Sequence, residues 1–382
     1  MTAPRVEPIV TCINNVQTVK ATHWQYGNKV WASKLRKHWR TVAHWLVVGA
    51  AVGYLAWLMP GLASQFAQAI GPLRHLRREW VIVAVLCGVG ALALYAEMHR
   101  QLLLVGGASL PVATVLGINA VENAVSATVP VVGGAGAFAY AIGQLRRRRV
   151  DAALASWSVL LAGVIATLTL LVLGALGLGW AGRIPVAFAV SLAALIVLAT
   201  VGAWHVLTHP AVLRRSLRLL LLLGRWAPGL CRTCRSTWAE RAEEASGRLS
   251  TRIALLRPSG VRWLVVITLA ALSWILDYLT LVASVAAVNS SVPWALLVVG
   301  FLLVQGSIAL QIFPGGAGLA GTSLLASLIA SGVATDSAAA SVLIYRSISW
   351  LGLALLGWAV YALWIHTAPI HLHRHAPEIV QP

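Results

Sequence analysis

The chain has 382 residues, of which 59% are hydrophobic and only 10% charged, and its mean hydropathy is +0.80. Soluble domains carry far more charge, so this composition excludes a soluble globular protein and predicts an all-α membrane bundle of about eight hydrophobic segments. Lysine and arginine outnumber aspartate and glutamate by 29 to 11. These basic residues flank apolar segments, which indicates topology and contact with anionic phospholipid headgroups, and no nucleic-acid partner is expected.

The two termini and the cysteines carry little chemistry. Residues 1–40 form a polar, basic N-terminal tail, so no cleavable signal peptide is expected. Cys231 and Cys234 have the spacing of metal ligands, but no second Cys/His pair lies near them in sequence. The His-rich C-terminal tail, residues 366–382, is predicted to be solvated rather than metal-binding. We therefore expect neither a metal site nor a cofactor.

The first membrane half is predicted over residues 41–207. Its first span covers about 41–59, and residues 62–78, which are less apolar and contain three arginines, fit an interfacial helix. The second span runs from Trp80 to about Glu97. Two further spans, joined by a short glycine-containing turn, complete this half: Ala152–Leu178 and Ile184–Leu207.

A glycine motif interrupts this half. Leu110–Val129 is about 20 residues long, enough to cross the hydrocarbon at about 1.5 Å per residue. The motif that follows contains a proline and three glycines: Pro130, Gly133, Gly134 and Gly136. The next apolar run, Ala135–Leu145, is too short to cross alone, so the pair is predicted to be a span with a half-helix return or a re-entrant hairpin. The following run, Arg146–Arg149, marks the cytoplasmic side.

A basic cytoplasmic loop, residues 208–260, separates the halves and contains ten arginines against three glutamates. The second half is predicted over residues 261–365, and it repeats the glycine motif. Its members are Pro314, Gly315, Gly316 and Gly318. Two such breaks at corresponding positions are typical of transporters built from inverted repeats, and we expect that arrangement here.

Ionisable groups inside apolar segments cost roughly 2.5–3.5 kcal/mol each on insertion scales, so each one needs a reason. Glu97 lies at the end of a span and is predicted to extend toward the interface. Glu122 lies near Asn119 on the helix that leads to the first glycine motif. It is either part of a headgroup pathway or a carboxyl group hydrogen-bonded to a neighbouring helix.

The second half offers Asp277 and, next to each other, Tyr345 and Arg346. Arg346 either neutralises Asp277 inside the bundle or holds a lipid phosphate through its bidentate guanidinium. The glycine motifs have two readings as well. Their unpaired backbone N–H groups suit an anion, and glycine also permits close helix packing.

The motif from Pro130 to the arginine run, with Gln144–Arg148 and the Ala/Ser/Trp helix after it, resembles the transmembrane region of the lysylphosphatidylglycerol synthase family. The later Pro314–Gly318 and Leu343–Ser349 are similar to that family's second motif. The likeness covers about residues 42–365. It implies a multi-pass protein of the bacterial or archaeal inner membrane, related to the flippase half of the aminoacyl-phospholipid resistance factors.

Two departures from the family pattern bear on function. No soluble aminoacyl-transferase domain follows, so synthase activity is not expected, and Gly321 stands near the place where many members have a glutamate. The sequence thus predicts a flippase-like protein, not an enzyme, that moves an anionic or aminoacylated phospholipid, or a polyprenyl-phosphate-linked glycan, between leaflets. The alternative is a non-transporting membrane subunit that anchors or regulates a cell-envelope synthesis enzyme.

Overall fold

The computed structural model describes Gly49, Gly53 and residues 71–73, 75–129, 133–208, 259–288, 294–309 and 318–365. The predicted tails 1–40 and 366–382 lie outside these residues, as do nearly all of the 41–59 span and of the 208–260 loop. Apart from Gly49 and Gly53, the described residues belong to one compact unit, Pro60–Pro382.

The described part of this unit is helical throughout, without a strand. Its α-helices are α1 Arg78–Val105, α2 Val112–Thr128, α3 Gly133–Arg147, α4 Ala152–Trp180, α5 Val186–Thr208, α6 Gly260–Ala287, α7 Trp294–Ala309, α8 Leu319–Ala330, α9 Thr335–Arg346 and α10 Leu353–Val360. Two π-helical segments continue the last stretch, Ser347–Gly352 after α9 and Tyr361–Ile365 after α10.

Five described helical stretches are long and apolar enough to cross a membrane. They are Arg78–Val105, Ala152–Trp180, Val186–His205, Gly260–Ala287 and Thr335–Leu363. The predicted membrane helical bundle is therefore confirmed. The helix predicted from Trp80 to Glu97 continues to Val105, because the polar residues after Glu97 are accommodated within the bundle rather than ending the helix.

The first glycine motif lies between two helices. α2 ends at Thr128 and α3 begins at Gly133, so three of the glycines form the first turn of a helix. A Cβ atom on Gly133 would lie 2.9 Å from the carbonyl oxygen of Ser126, closer than real contacts allow. Glycine is needed here because α3 starts against the backbone of α2. Pro130 lies outside the described residues.

The second motif also separates two helices, since α7 ends at Ala309 and α8 begins at Leu319. Gly318 caps α8 with a φ of 83°, in the left-handed region that favours glycine. The other members of this motif, Pro314, Gly315 and Gly316, lie outside the described residues. Inverted repeats and re-entrant elements therefore stay predictions.

Helices from the two predicted halves pack against each other. α1 lies along α6, and the Ser273 hydroxyl of α6 donates a hydrogen bond to the Ala91 carbonyl of α1 at 2.8 Å. α2 packs on α10, where Gly357 approaches the backbone at Ala120 so closely that a Cβ atom would collide with it. This interleaving places polar residues of both halves around one interior space.

Candidate functional site

A cavity of ≈ 370 Å³ lies among helices of both predicted halves. Its wall includes six of the residues singled out from the sequence: Asn119, Glu122, Gly133, Gly134, Asp277 and Tyr345. Other polar and aromatic residues also line the cavity: Tyr95, Asn123, Ser126, Ser273, Trp274, Gln305, Ser349 and Trp350. A space with this lining suits a polar group that must be shielded from hydrocarbon.

The α2 wall carries two buried polar atoms that lack a hydrogen-bond partner among the described residues. They are Glu122 Oε2 and Asn119 Nδ2, one helical turn apart. Buried polar groups in native proteins are almost always hydrogen-bonded. Two such atoms beside one cavity therefore indicate that its occupant, water or ligand, supplies the missing partners.

His99 of α1 holds Asn119 in place. This histidine is only 1% exposed and lies between Asn119 and Ser158. With its proton on Nδ1, His99 donates to Asn119 Oδ1 at 3.0 Å. Its Nε2 lies 3.3 Å from the Ser158 hydroxyl oxygen, which also donates to the Ala155 carbonyl at 3.1 Å. The Asn119 carbonyl is thus engaged on the α1 side, and its amide nitrogen remains available to the cavity.

The opposite wall has a different carboxyl environment. Gln305 Nε2 of α7 donates to Asp277 Oδ2 of α6 at 2.9 Å. Asp277 is also close enough to Arg346 for the two charges to attract each other, and Tyr345 is buried beside them. The Asp277 carboxyl group therefore has a hydrogen-bond donor and a nearby positive charge from the protein, whereas Glu122 Oε2 has no hydrogen-bond partner among the described residues.

Arg346 lies behind the wall rather than in it. The side chain is 8% exposed, and its guanidinium carbon lies 5.1 Å from the centre of the Trp350 ring, a cation–π arrangement. Trp350 itself lines the cavity and donates from Nε1 to the Ala127 carbonyl of α2 at 3.3 Å. Arg346 is thus near enough to Asp277 to interact with its charge and lies directly behind a residue of the cavity wall.

Trp350 lies within the π-helical segment Ser347–Gly352. A π-helical turn widens the helix and rotates the residues after it relative to an α-helix, and such turns are frequent at functional sites. Across the cavity, Trp274 Nε1 of α6 donates to the Ala166 carbonyl of α4 at 2.8 Å. Two tryptophans thus tie the cavity walls to α2 and α4 and give the space a defined shape.

Several predicted residues lie elsewhere. Of those that the structure describes, Gly136 and Gly318 are outside the cavity wall. Glu97, in the second half of α1, forms a partly buried ion pair with Arg100 at 2.7 Å and accepts from Gln101 at 2.6 Å. Pro130 and the first three members of the second motif lie outside the described residues, so their roles stay predictions.

Sequence reasoning missed two residues that define the site, His99 and Gln305. Gln305 is the only amide within the apolar helix α7, so extending the search from ionisable groups to all strongly polar side chains would have found it. His99 was hidden because it follows Glu97 and precedes Arg100, in a polar stretch that looks like the end of a span. Its burial depends on α2 and α4, which are distant in sequence.

Comparison with known proteins adds one match. The family model described as the lysylphosphatidylglycerol synthase TM region matches residues 41–357, which is most of the chain and includes every described residue of the cavity wall. No curated protein matches the chain.

Proposed function

Because the chain belongs to the lysylphosphatidylglycerol synthase transmembrane-region family, we propose that it moves a phospholipid headgroup between leaflets through the cavity described above. The substrate is an anionic or aminoacylated phospholipid, or a polyprenyl-phosphate-linked glycan, in the bacterial inner membrane. One observation carries this proposal. Glu122 and Asp277, from different halves of a multi-pass helical bundle, line a single cavity that also contains several other polar side chains.

The physical problem for such a protein is the transfer of a charged headgroup through hydrocarbon. A charged or polar group loses its hydration there and pays several kilocalories per mole unless other polar groups replace the water. The amides, hydroxyls and carboxyl groups of this cavity can replace it, while the acyl chains remain in the lipid. The cavity therefore lowers the barrier for the headgroup alone.

Different side chains would bind the negative and the positive group of the headgroup. Arg346, which stacks on the cavity-lining Trp350, would hold a phosphate, because a guanidinium matches two phosphate oxygens. The carboxyl groups of Glu122 and Asp277 would accept a cationic nitrogen of the same headgroup. This arrangement favours a headgroup that carries both signs of charge over one that carries only a phosphate.

Reconstitution tests the proposal directly. The purified protein is placed in vesicles with fluorescent phospholipids, and dithionite is added outside to bleach the outer leaflet. Transport brings inner-leaflet lipid within reach of dithionite, so the wild type should bleach more of the fluorescence than empty vesicles. The Glu122→Gln, Asp277→Asn double variant should lose this extra bleaching.

Glu97→Gln is the matched control, because Glu97 is a carboxylate of the same bundle that lies outside the cavity. This variant should transport as the wild type does. If the wild type moves none of the phospholipid classes named above, the transport proposal is wrong. The alternative, a membrane subunit for an envelope-synthesis enzyme, would then be the hypothesis to pursue.

A further inference from the structure

The two carboxyl groups of the cavity differ in how the protein compensates them. Asp277 accepts a hydrogen bond from Gln305 and interacts with the charge of Arg346. Glu122 Oε2 is buried and has no hydrogen-bond partner among the described residues. An ionised carboxylate in that position would leave an uncompensated charge in a poorly solvated place, which is strongly unfavourable.

The other groups near Glu122 do not supply the missing charge. From α1, Tyr95 lines the cavity close to Glu122, and the buried His99 is held by Asn119 and Ser158. From the second half, Asp277 and Tyr345 line the cavity, and both interact with Arg346 behind its wall. Without an occupant, the arrangement thus favours a protonated Glu122.

We propose that Glu122 exchanges its proton for the ammonium group of an incoming headgroup, so that one proton leaves for each headgroup bound. This inference rests on the proposed function, because it assigns the headgroup to the same cavity. The proton passes from the Glu122 carboxyl to water, and the ammonium takes its place against the carboxylate. At the Glu122 carboxyl, one positive charge enters with the ammonium and one leaves with the proton, so the charge at this carboxyl stays balanced. The negative phosphate of the same headgroup is a separate charge, which Arg346 would compensate.

The exchange has a directional consequence for transport. If Glu122 becomes accessible to the two sides of the membrane in turn, and binds either a proton or an ammonium headgroup each time, protons and headgroups move in opposite directions. A proton gradient would then drive the lipid toward the more acidic side. The ligand class is a phospholipid whose headgroup carries an ammonium group beside its phosphate.

The test measures protons directly. Purified full-length protein in neutral detergent, weakly buffered and with a pH indicator, is titrated with dihexanoyl phosphatidylethanolamine, which carries an ammonium group. Dihexanoyl phosphatidylglycerol, which has no nitrogen, is the comparison. We expect about one proton released per bound phosphatidylethanolamine and none with phosphatidylglycerol. A wild-type protein that binds phosphatidylethanolamine without releasing a proton would overturn the proposal.

Binding as a function of pH gives a second measurement. When binding expels one proton, affinity rises by up to about tenfold per pH unit, so wild-type Kd should fall between pH 5 and 8. Glu122→Gln should bind more weakly and lose the pH dependence, whereas Asp277→Asn should keep it. If the Kd of Glu122→Gln still depends on pH, the released proton comes from another group and the proposal is overturned. The proton-release titration of the wild type still tests the proposal if Glu122→Gln does not fold.

These results are separable from those on transport. Phospholipid transport without proton release would overturn the exchange and leave the proposed function intact. Proton release without transport would support the exchange and overturn the proposed function.

Discussion

Gln305 Nε2 donates a hydrogen bond to Asp277 Oδ2 at 2.9 Å, and this bond joins α7 to α6 at the wall of the cavity. Gln305→Leu keeps much of the side-chain volume but removes the donor. Hydrogen bonds to charged groups contribute about 1.5–3 kcal/mol, so this variant should unfold at a lower temperature in detergent.

Asp277→Asn in the Gln305→Leu background provides the control. Because the double variant no longer buries an uncompensated carboxylate, it should be less destabilised than the sum of the two single variants. Strict additivity would mean that the bond contributes little to stability.

Gly133 predicts a steric limit at the start of α3. A Cβ atom there would lie 2.9 Å from the Ser126 carbonyl oxygen, so Gly133→Ala should force α3 away from α2 and cost about 1–3 kcal/mol. Phospholipid transport should fall with it, since Gly133 lines the cavity. Thermal unfolding and the dithionite assay measure the two effects.

Gly143 lies in the same helix and is the matched control, because a Cβ atom there would meet nothing within 4 Å. Gly143→Ala should preserve transport and stabilise the helix by about 0.5–1 kcal/mol. Equal effects of the two substitutions would show that helix propensity, and not the approach to Ser126, decides the outcome.

Arg346 has two readings that predict opposite results. If it holds phosphate, Arg346→Lys retains the charge but loses the bidentate fork, so transport should fall while the unfolding temperature changes little. The Asp277→Asn, Arg346→Gln double variant should then be folded but inactive. A stable and active double variant would show that the arginine only neutralises Asp277.

The arginine-rich segments predict the orientation of the chain. Arg146–Arg149 and residues 208–260 should be cytoplasmic, because such flanks resist translocation. In intact cells, a variant that keeps only Cys231, and a cysteine-free variant with Arg147→Cys, should escape a membrane-impermeant thiol reagent. Arg183→Cys, in the turn after the single crossing of α4, should react. Labelling of the first two would reverse the orientation.

The apolar composition by itself determined that the chain is a membrane helical bundle, because backbone polar groups in hydrocarbon must pair within their own segment. The spans over α4 and α5 were predicted within a few residues for a similar local reason, since a short turn joins two long apolar runs. The cost of burying charge singled out Glu122 and Asp277 without any structural information.

Only the tertiary structure decided what these residues do together. Glu122 and Asp277 line one cavity because α1 packs on α6 and α2 packs on α10, contacts between helices far apart in the chain. The same packing places Gln305 and His99 within hydrogen-bonding distance of Asp277 and Asn119, respectively. It leaves Glu122 Oε2 without a hydrogen-bond partner among the described residues. Hydropathy reports which residues leave water, but a side chain's partner depends on which helix lies opposite, and that is a property of the packed bundle.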